Sequence, residues 1–279
     1  MVGQTRETNT IDSRRNLSIC YCDFGDHYML QNNYKLAEKF YNKDLFLCEQ
    51  LVKEKATILA RRDLSLSYER LGNSYKEKGD LYKAEYFFKK DLFQCKKMQE
   101  ETNSIELKLD LIISYEHLGD VYKESFNLKL AKVFYKKAFI LCKELVRQTA
   151  TIEAKQHLSV CYANLGDLYS EMGKLQKAKK FYLKATRINE KIISKKQSFE
   201  IKHDLSICYE KLGDIYSELR KSNKAKKYYS QCIVLCEELA KEKKTEDTLR
   251  DLAVTYDNLG VILNESGSFV EQKNCSDKA

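Results

Sequence analysis

The chain has 279 residues, 43% hydrophobic and 32% charged, with 49 Lys and Arg against 41 Asp and Glu, ten Cys, and neither Pro nor Trp. A net charge of +8 spread over both signs describes a mixed surface and no polybasic tail, which sets nucleic acid low among candidate partners. Met1 to Arg15 lacks the apolar core of a signal peptide and no run of about 18 apolar residues exists to span a membrane, so a soluble cytoplasmic chain is expected.

The organising feature is a repeat. Gly25, Gly72, Gly119, Gly166, Gly213 and Gly260 follow one another at an unbroken interval of 47 residues. A period that never slips marks one structural unit copied along the chain, an array and not a set of separate cores.

Each unit opens on a hydroxyl residue: Thr10, Thr57, Ser104, Thr151, Ser198 and Thr245. Each is a good helix N-cap, able to accept from the unpaired amides of the first turn. Seven residues on, Leu17, Leu64, Leu111, Leu158, Leu205 and Leu252 supply the next anchor of a buried stripe. Tyr, Leu-Gly and Tyr then recur on one helical face, as in Tyr68, Leu71, Gly72 and Tyr75. A Gly in mid-helix costs about 1 kcal/mol relative to Ala. Six in phase predict a close approach that a larger side chain would block.

Gly79, Gly173 and Gly267 mark the following turn, where a left-handed C-cap favours Gly. Asn32, Phe126 and Arg220 hold that place elsewhere, so those turns are expected to use a different geometry. A second helix follows, with Ala37, Ala84, Ala131, Ala178 and Ala225 four residues before Tyr41, Phe88, Tyr135, Tyr182 and Tyr229. Both helices of a unit should run near 20 to 22 residues, about 30 Å. The sixth unit departs from the pattern, with Leu263, Gln272 and Ser276 at the signature places.

The spacing Tyr115, Leu118-Gly119, Tyr122, Ala131, Tyr135, Ala138 resembles the tetratricopeptide repeat. That family's usual unit is about 34 residues, so these units carry extra turns. The resemblance implies an all-α, right-handed superhelical solenoid of antiparallel helix pairs, about eleven helices in all. HEAT-type units, whose period also reaches about 47, are the runner-up. The expected layout is a polar lead-in over residues 1–9, a solenoid over 10–266 and a polar tail over 267–279. The family also implies a scaffold that binds other proteins.

Catalytic and metal chemistry find little support. His27, His117, His157 and His203 fall at four different repeat positions, and no phosphate loop or nucleophile elbow occurs. Seven of the Cys share two repeat positions: Cys48, Cys95, Cys142 and Cys236 hold one, Cys20, Cys161 and Cys208 the other. Ser67, Ser114, Thr255 and Asn189 replace them elsewhere, which predicts small buried contacts and reduced thiols. Cys232 and Cys236 lie one turn apart without a second ligand pair. No cofactor or metal is expected.

The informative constellation is a ladder of acids three before, one after and five after the helix Gly, which share one face. Its rungs are Glu116, Asp120 and Glu124 in unit three and Glu210, Asp214 and Glu218 in unit five. Unit two gives Glu69, Asn73 and Glu77, unit four Asp167 and Glu171, and unit one Asp26. The second helices are instead rich in Lys, as at Lys89-Lys90 and Lys136-Lys137. Like charges one turn apart cost a few tenths of a kcal/mol per pair, so their repetition asks for compensation. Two readings stand. The acids form a solvated face paired with Arg70, Lys76, Lys123 and Lys211, or they line a groove for a basic partner segment. In the resembled family this face is the inner, concave one. The family's clamps for a terminal carboxylate use Lys and Asn there, and only Asn73 matches, which marks that subtype down. A protein-interaction scaffold therefore leads. A peptide-sensing regulator follows, then a binder of nucleic acid or anionic surfaces through the Lys-rich helices.

Overall fold

The computed structural model describes residues 10–265. These form α1 (Ile11–Leu30), α2 (Tyr34–Glu54), α3 (Ile58–Glu77), α4 (Leu81–Glu101), α5 (Ile105–Glu124), α6 (Leu128–Thr149), α7 (Ile152–Glu171), α8 (Leu175–Ile193), α9 (Phe199–Glu218), α10 (Ser222–Glu242) and α11 (Glu246–Glu265). No strand occurs among the described residues. The lead-in over residues 1–9 and the expected tail, with Gly267, Gln272 and Ser276, lie outside them.

The chain divides into two compact units, Met1–Leu141 and Cys142–Ala279, with the division inside α6. In the first, α1 pairs with α2 and α3 with α4, and each second helix also packs on the next first helix. In the second, α7 pairs with α8 and α9 with α10, while α8 meets α9 and α10 meets α11. Each unit is thus a stack of helix pairs, an all-α solenoid.

The predicted caps close. Thr57 Oγ1 accepts from the Ala60 N–H at 3.1 Å, Ser104 Oγ from Leu107 at 3.1 Å and Thr151 Oγ1 from Ala154 at 3.2 Å. Ser198 and Thr245 do the same, and Thr10 with Ser13 makes a reciprocal capping box. Each such cap contributes about 1 kcal/mol.

The turns correct the sequence reading. Asn32, Phe126 and Arg220 stand at φ 55°, 57° and 54°, the same left-handed region as Gly79 at 78° and Gly173 at 67°. In four of these turns the amide of the next residue reaches back to the second signature Tyr. Asn33 donates to the Tyr28 carbonyl, Asp80 to Tyr75, Lys174 to Tyr169 and Lys221 to Tyr216. Closing that loop satisfies a helix-end carbonyl and outweighs the ~1–2 kcal/mol a side chain costs there.

Packing within a pair rests on the helix Gly. A methyl added to Gly72 would stand 2.6 Å from the Phe88 ring, and one on Gly166 would stand 2.9 Å from Tyr182. Tyr41, Tyr135 and Tyr229 cover Gly25, Gly119 and Gly213 in the same way. The preceding ring on the second helix is sandwiched between the two signature tyrosines of the first. Tyr75 stacks on Phe87 at 5.5 Å and 2°, Tyr122 on Phe134 at 5.3 Å and 17°, and Tyr169 on Phe181 at 5.3 Å and 3°. Tyr68, Tyr115 and Tyr162 tilt against the same three rings.

Leu64, Leu111 and Leu205 are buried as expected, and Leu158 and Leu252 are half-buried. Leu17 is 44% exposed and Cys20 is exposed, against expectation. These positions pack on the second helix of the preceding unit, as Leu64 does on Cys48, and no described helix precedes α1.

The glycines yield a prediction of opposite signs. Gly72→Ala forces the fully buried Phe88 ring to move and is expected to destabilise by about 1–2 kcal/mol despite better helix propensity. Gly260→Ala meets no described atom within 4 Å and is expected to stabilise by about 1 kcal/mol. Urea melts of the two variants read both signs.

Candidate functional site

The middle rung of the acid ladder is tied to the second helix, with Asp120, Asp167 and Asp214 half-buried and Asp26 exposed. Asp26 accepts from the Tyr41 hydroxyl at 2.6 Å, Asp120 from Tyr135 at 2.5 Å and Asp214 from Tyr229 at 2.7 Å, and Asp167 accepts from Tyr182. These tyrosines are the rings that cover the helix glycines. Unit two departs on both sides at once: Phe88 has no hydroxyl, and its partner position holds Asn73. Burial, and then the neighbouring carboxylate, push the Tyr41, Tyr182 and Tyr229 hydroxyls above their ordinary value. The repeated acid is therefore compensated by an internal hydrogen bond. It is not a freely presented charge.

The first rung is also withdrawn. Glu116 is 8% exposed, and Glu69 and Glu210 are half-buried. Burial raises Glu69 to about 7 and pushes Glu210 upward. His117 Nε2 lies 4.0 Å from Glu69, its ring stacked on Phe88 at 4.8 Å; burial and then Lys76 bring it down to about 4. Arg70 lies 3.5 Å from Asp26, and Lys211 lies 3.8 Å from Asp214. The last rung, Glu77, Glu124, Glu171 and Glu218, is exposed.

A second row on this face is aliphatic, and the acid pattern drew attention away from it. Ile19, Leu66, Ile113, Val160, Ile207 and Val254 occupy one repeat position in all six units, three residues before the first rung. Ile19, Leu66, Ile207 and Val254 are 36% to 44% exposed. Val160 and Ile207 line a cleft together with Asp167. The 47-residue period applied to apolar residues would have found them.

Inside the first unit the structure adds buried carboxylates that the sequence did not flag. Asp44 binds the hydroxyls of Ser18 and Ser67, and Asp91 binds those of Ser65 and Ser114 with the Cys95 thiol alongside. Burial lifts Asp91 to about 6, although all three donors act to lower it.

The described Cys are free thiols, eight of nine buried, with Cys232 and Cys236 sulfurs 3.8 Å apart. No cluster of three or more His, Cys, Asp or Glu among the described residues is arranged to hold a metal ion. His203 lies 3.6 Å from Asp251 and His27 contacts Gln31, while His157 is pushed down by burial; the four His converge nowhere. Some Lys of the second helices serve the fold, since Lys90 sits over Tyr68 and Tyr86 and Lys137 over Tyr115 and Phe134. No described helix is long and apolar enough to cross a membrane.

Such stacked helix pairs, with signature rings on in-phase glycines, define a helical-repeat protein. The tetratricopeptide repeat model matches residues 112–141, 160–192 and 207–238, each covering the end of a first helix, the turn and a second helix. The solved structures agree in fold. BtubC (BKLC) from P. vanneervenii superposes with a TM-score of 0.69 at 17% identity, covering 86% of this chain and 87% of that one. The S. pombe nuclear import adaptor Nro1 gives 0.60 at 11%, covering 96% and 94%. A signal transduction ATPase with a tetratricopeptide repeat sensor, from Pyrococcus horikoshii, gives 0.58 at 16%, covering 96% of this chain and 42% of that one. No curated protein matches the sequence. Three stretches of the chain therefore match tetratricopeptide repeats, and the solved structures share the fold.

Two outcomes follow from these hydrogen bonds. A double-mutant cycle of Asp120→Asn and Tyr135→Phe, the pair that unit two carries naturally, is expected to show coupling of about 1.5–3 kcal/mol. Urea unfolding of the four proteins measures it. For Asp91, a folded-state value above the unfolded ~4 means the native state keeps a proton that the unfolded chain has released. Its stabilising contribution is complete below about pH 4 and is lost as pH rises through about 6. The stability of wild type relative to Asp91→Asn is expected to fall across that window and to level off above it, read from urea midpoints at each pH.

Proposed function

We propose that this chain is a non-catalytic protein-interaction scaffold whose partner lies along the exposed face of the first helices. One observation carries the reading. Within each compact unit an aliphatic residue and, eleven positions on, an exposed acid recur on the first helices: Leu66 with Glu77 and Ile113 with Glu124 in one, Val160 with Glu171 and Ile207 with Glu218 in the other. Eleven residues of helix separate them by about 16 Å. A segment with apolar side chains and basic residues is complementary to both rows, the apolar contacts supplying most of the affinity and the charges steering the approach. In each compact unit the more enclosed rungs, Glu69, Asn73, Glu116 and Asp120 in one and Asp167, Glu210 and Asp214 in the other, support that unit's face, and Asp26 is held by Tyr41 at its edge. Glu77, Glu124, Glu171 and Glu218 carry the charge that a partner meets. Two structural neighbours are a nuclear import adaptor and a signal transduction ATPase with a tetratricopeptide repeat sensor. The free thiols favour a reducing compartment such as the cytoplasm.

Capture from native lysate by wild type, Leu66→Ser/Ile113→Ser and Glu77→Lys/Glu124→Lys tests this, with helicity checked by circular dichroism. A partner held by wild type is expected to weaken about tenfold or more with either double variant, and the charge variant should lose the salt dependence. Partners held equally by all three would remove the reading.

A further inference from the structure

One face of α1 carries Ser13, Leu17, Cys20, Phe24 and His27, spaced four, three, four and three residues apart as a single helical stripe. All five are exposed, Leu17 by 44% and Phe24 by 53%. The counterparts of the last four in unit two, Leu64, Ser67, Leu71 and Ser74, are all buried. There Leu64 packs on Cys48, and Ser67 donates to Asp44 of α2 at 2.6 Å. On α1 the surface that continues this repeated interface meets no described helix.

The stripe also differs from the one that later repeats offer to a preceding second helix. Phe24 stands where Leu71, Leu118, Leu165 and Leu212 recur. His27 stands where Ser74, Val121, Leu168 and Ile215 are buried. A ring in place of leucine fills space that a helix like α2 would need, and an imidazole in that contact would give up its water.

Instead the stripe is symmetric about its own centre. Ser13 and His27 lie about 10 Å to either side of Cys20 along the helix, and Leu17 and Phe24 about 5 Å. Its order is polar, large apolar, small, large apolar, polar. A twofold axis at Cys20 lays a second copy of α1 antiparallel on the first, with Leu17 of each copy on Phe24 of the other. The small Cys20 side chains then meet at the axis, and Ser13 comes opposite His27. Asn16 and Asp23, both exposed along one edge of the stripe, also come opposite one another, an amide donor facing a carboxylate on each side of the axis. An isologous interface requires a patch complementary to itself, and this stripe meets that requirement in size, polarity and hydrogen bonding.

We propose that this chain forms a twofold-symmetric dimer through the exposed stripe of α1, a second copy of the chain being the occupant of that face. Ile19 of the aliphatic row stands about 100° around the helix from Cys20, so the dimer leaves that row open.

Sedimentation of the full chain from about 1 to 200 µM tests this. The contact is one helix per copy, at the small end of specific interfaces, so a dimer with a Kd of about 1–100 µM is expected. Leu17→Glu and Phe24→Glu each bring two carboxylates into the apolar centre and should weaken it at least about 30-fold. Ile11→Glu, at an exposed position on another face of α1, should leave it unchanged. Circular dichroism checks that each variant keeps its helicity. The register is read separately and without a disruptive variant. In a Cys275→Ser background, the short thiol cross-linker bismaleimidoethane should join two chains, and Cys20→Ser should abolish the linkage, since the other described thiols are buried. A wild-type chain that stays monomeric to about 200 µM, its α1 stripe taken by another segment or another protein, would overturn the proposal. So would a dimer that survives both Glu variants, or one that Cys20 does not link.

Discussion

An aromatic ring laid directly on a glycine is the contact on which the rest of this structure depends. Where Phe88 covers Gly72 or Tyr182 covers Gly166, the first helix offers bare backbone and the second approaches closer than any Cβ would allow. The fully buried Ala84 and Ala178, one turn before those rings, extend the same close approach. Once the ring is seated, its far edge arrives beside the residue that follows the glycine. A tyrosine hydroxyl there needs an acceptor and Asp supplies one; Phe88 needs none and meets Asn73. Sterics fix the spacing of a pair, and hydrogen bonding then fixes the residue next door.

Around that shared contact the interiors diverge. The position one turn before the repeat Cys holds Asp44, Asp91, Ala138, Ala185 and Cys232 in successive units. Where it is Asp, two serine hydroxyls and a thiol converge on it in a buried polar network. Where it is Ala185, Ser159 donates to its carbonyl and nearby Asn189 is buried with neither end of its amide matched. A buried carboxylate is held at a cost, visible in the raised value of Asp91, and the surrounding donors recover part of it.

Much of the fold was legible in the chain because its signals are local. An N-cap hydroxyl acts on an amide three residues away, and the signature spacing repeats six times. Thr57, Ser104 and the rings over the glycines all fall where the sequence places them. The turns were read less well. Gly79 and Gly173 made the left-handed conformation look like a glycine property, whereas Asn32 and Arg220 adopt it with the returning hydrogen bond to the second signature Tyr in place, and Phe126 adopts it as well. Leu17 and Cys20 were misread for a related reason: their burial depends on a preceding helix, a neighbour that position in the repeat cannot reveal.

The candidate site shows the division most clearly. Sequence alone determined that Asp26, Asp120, Asp167 and Asp214 lie on one helical face, since 3.6 residues per turn dictates it. It determined the period, the helix ends and the resemblance to the tetratricopeptide repeat. It did not determine which of those acids face outward, because a carboxylate is equally at home in water or against a buried hydroxyl. Only the packing of Tyr41, Tyr135, Tyr182 and Tyr229 decided that the middle rung is engaged by ring hydroxyls while the last glutamates stay exposed. Tertiary structure alone likewise showed that Asn189, one more small residue at a Cys position, is fully buried with both ends of its amide unmatched. Hydrogen-bond satisfaction depends on atoms far away in the chain, and no local pattern records them.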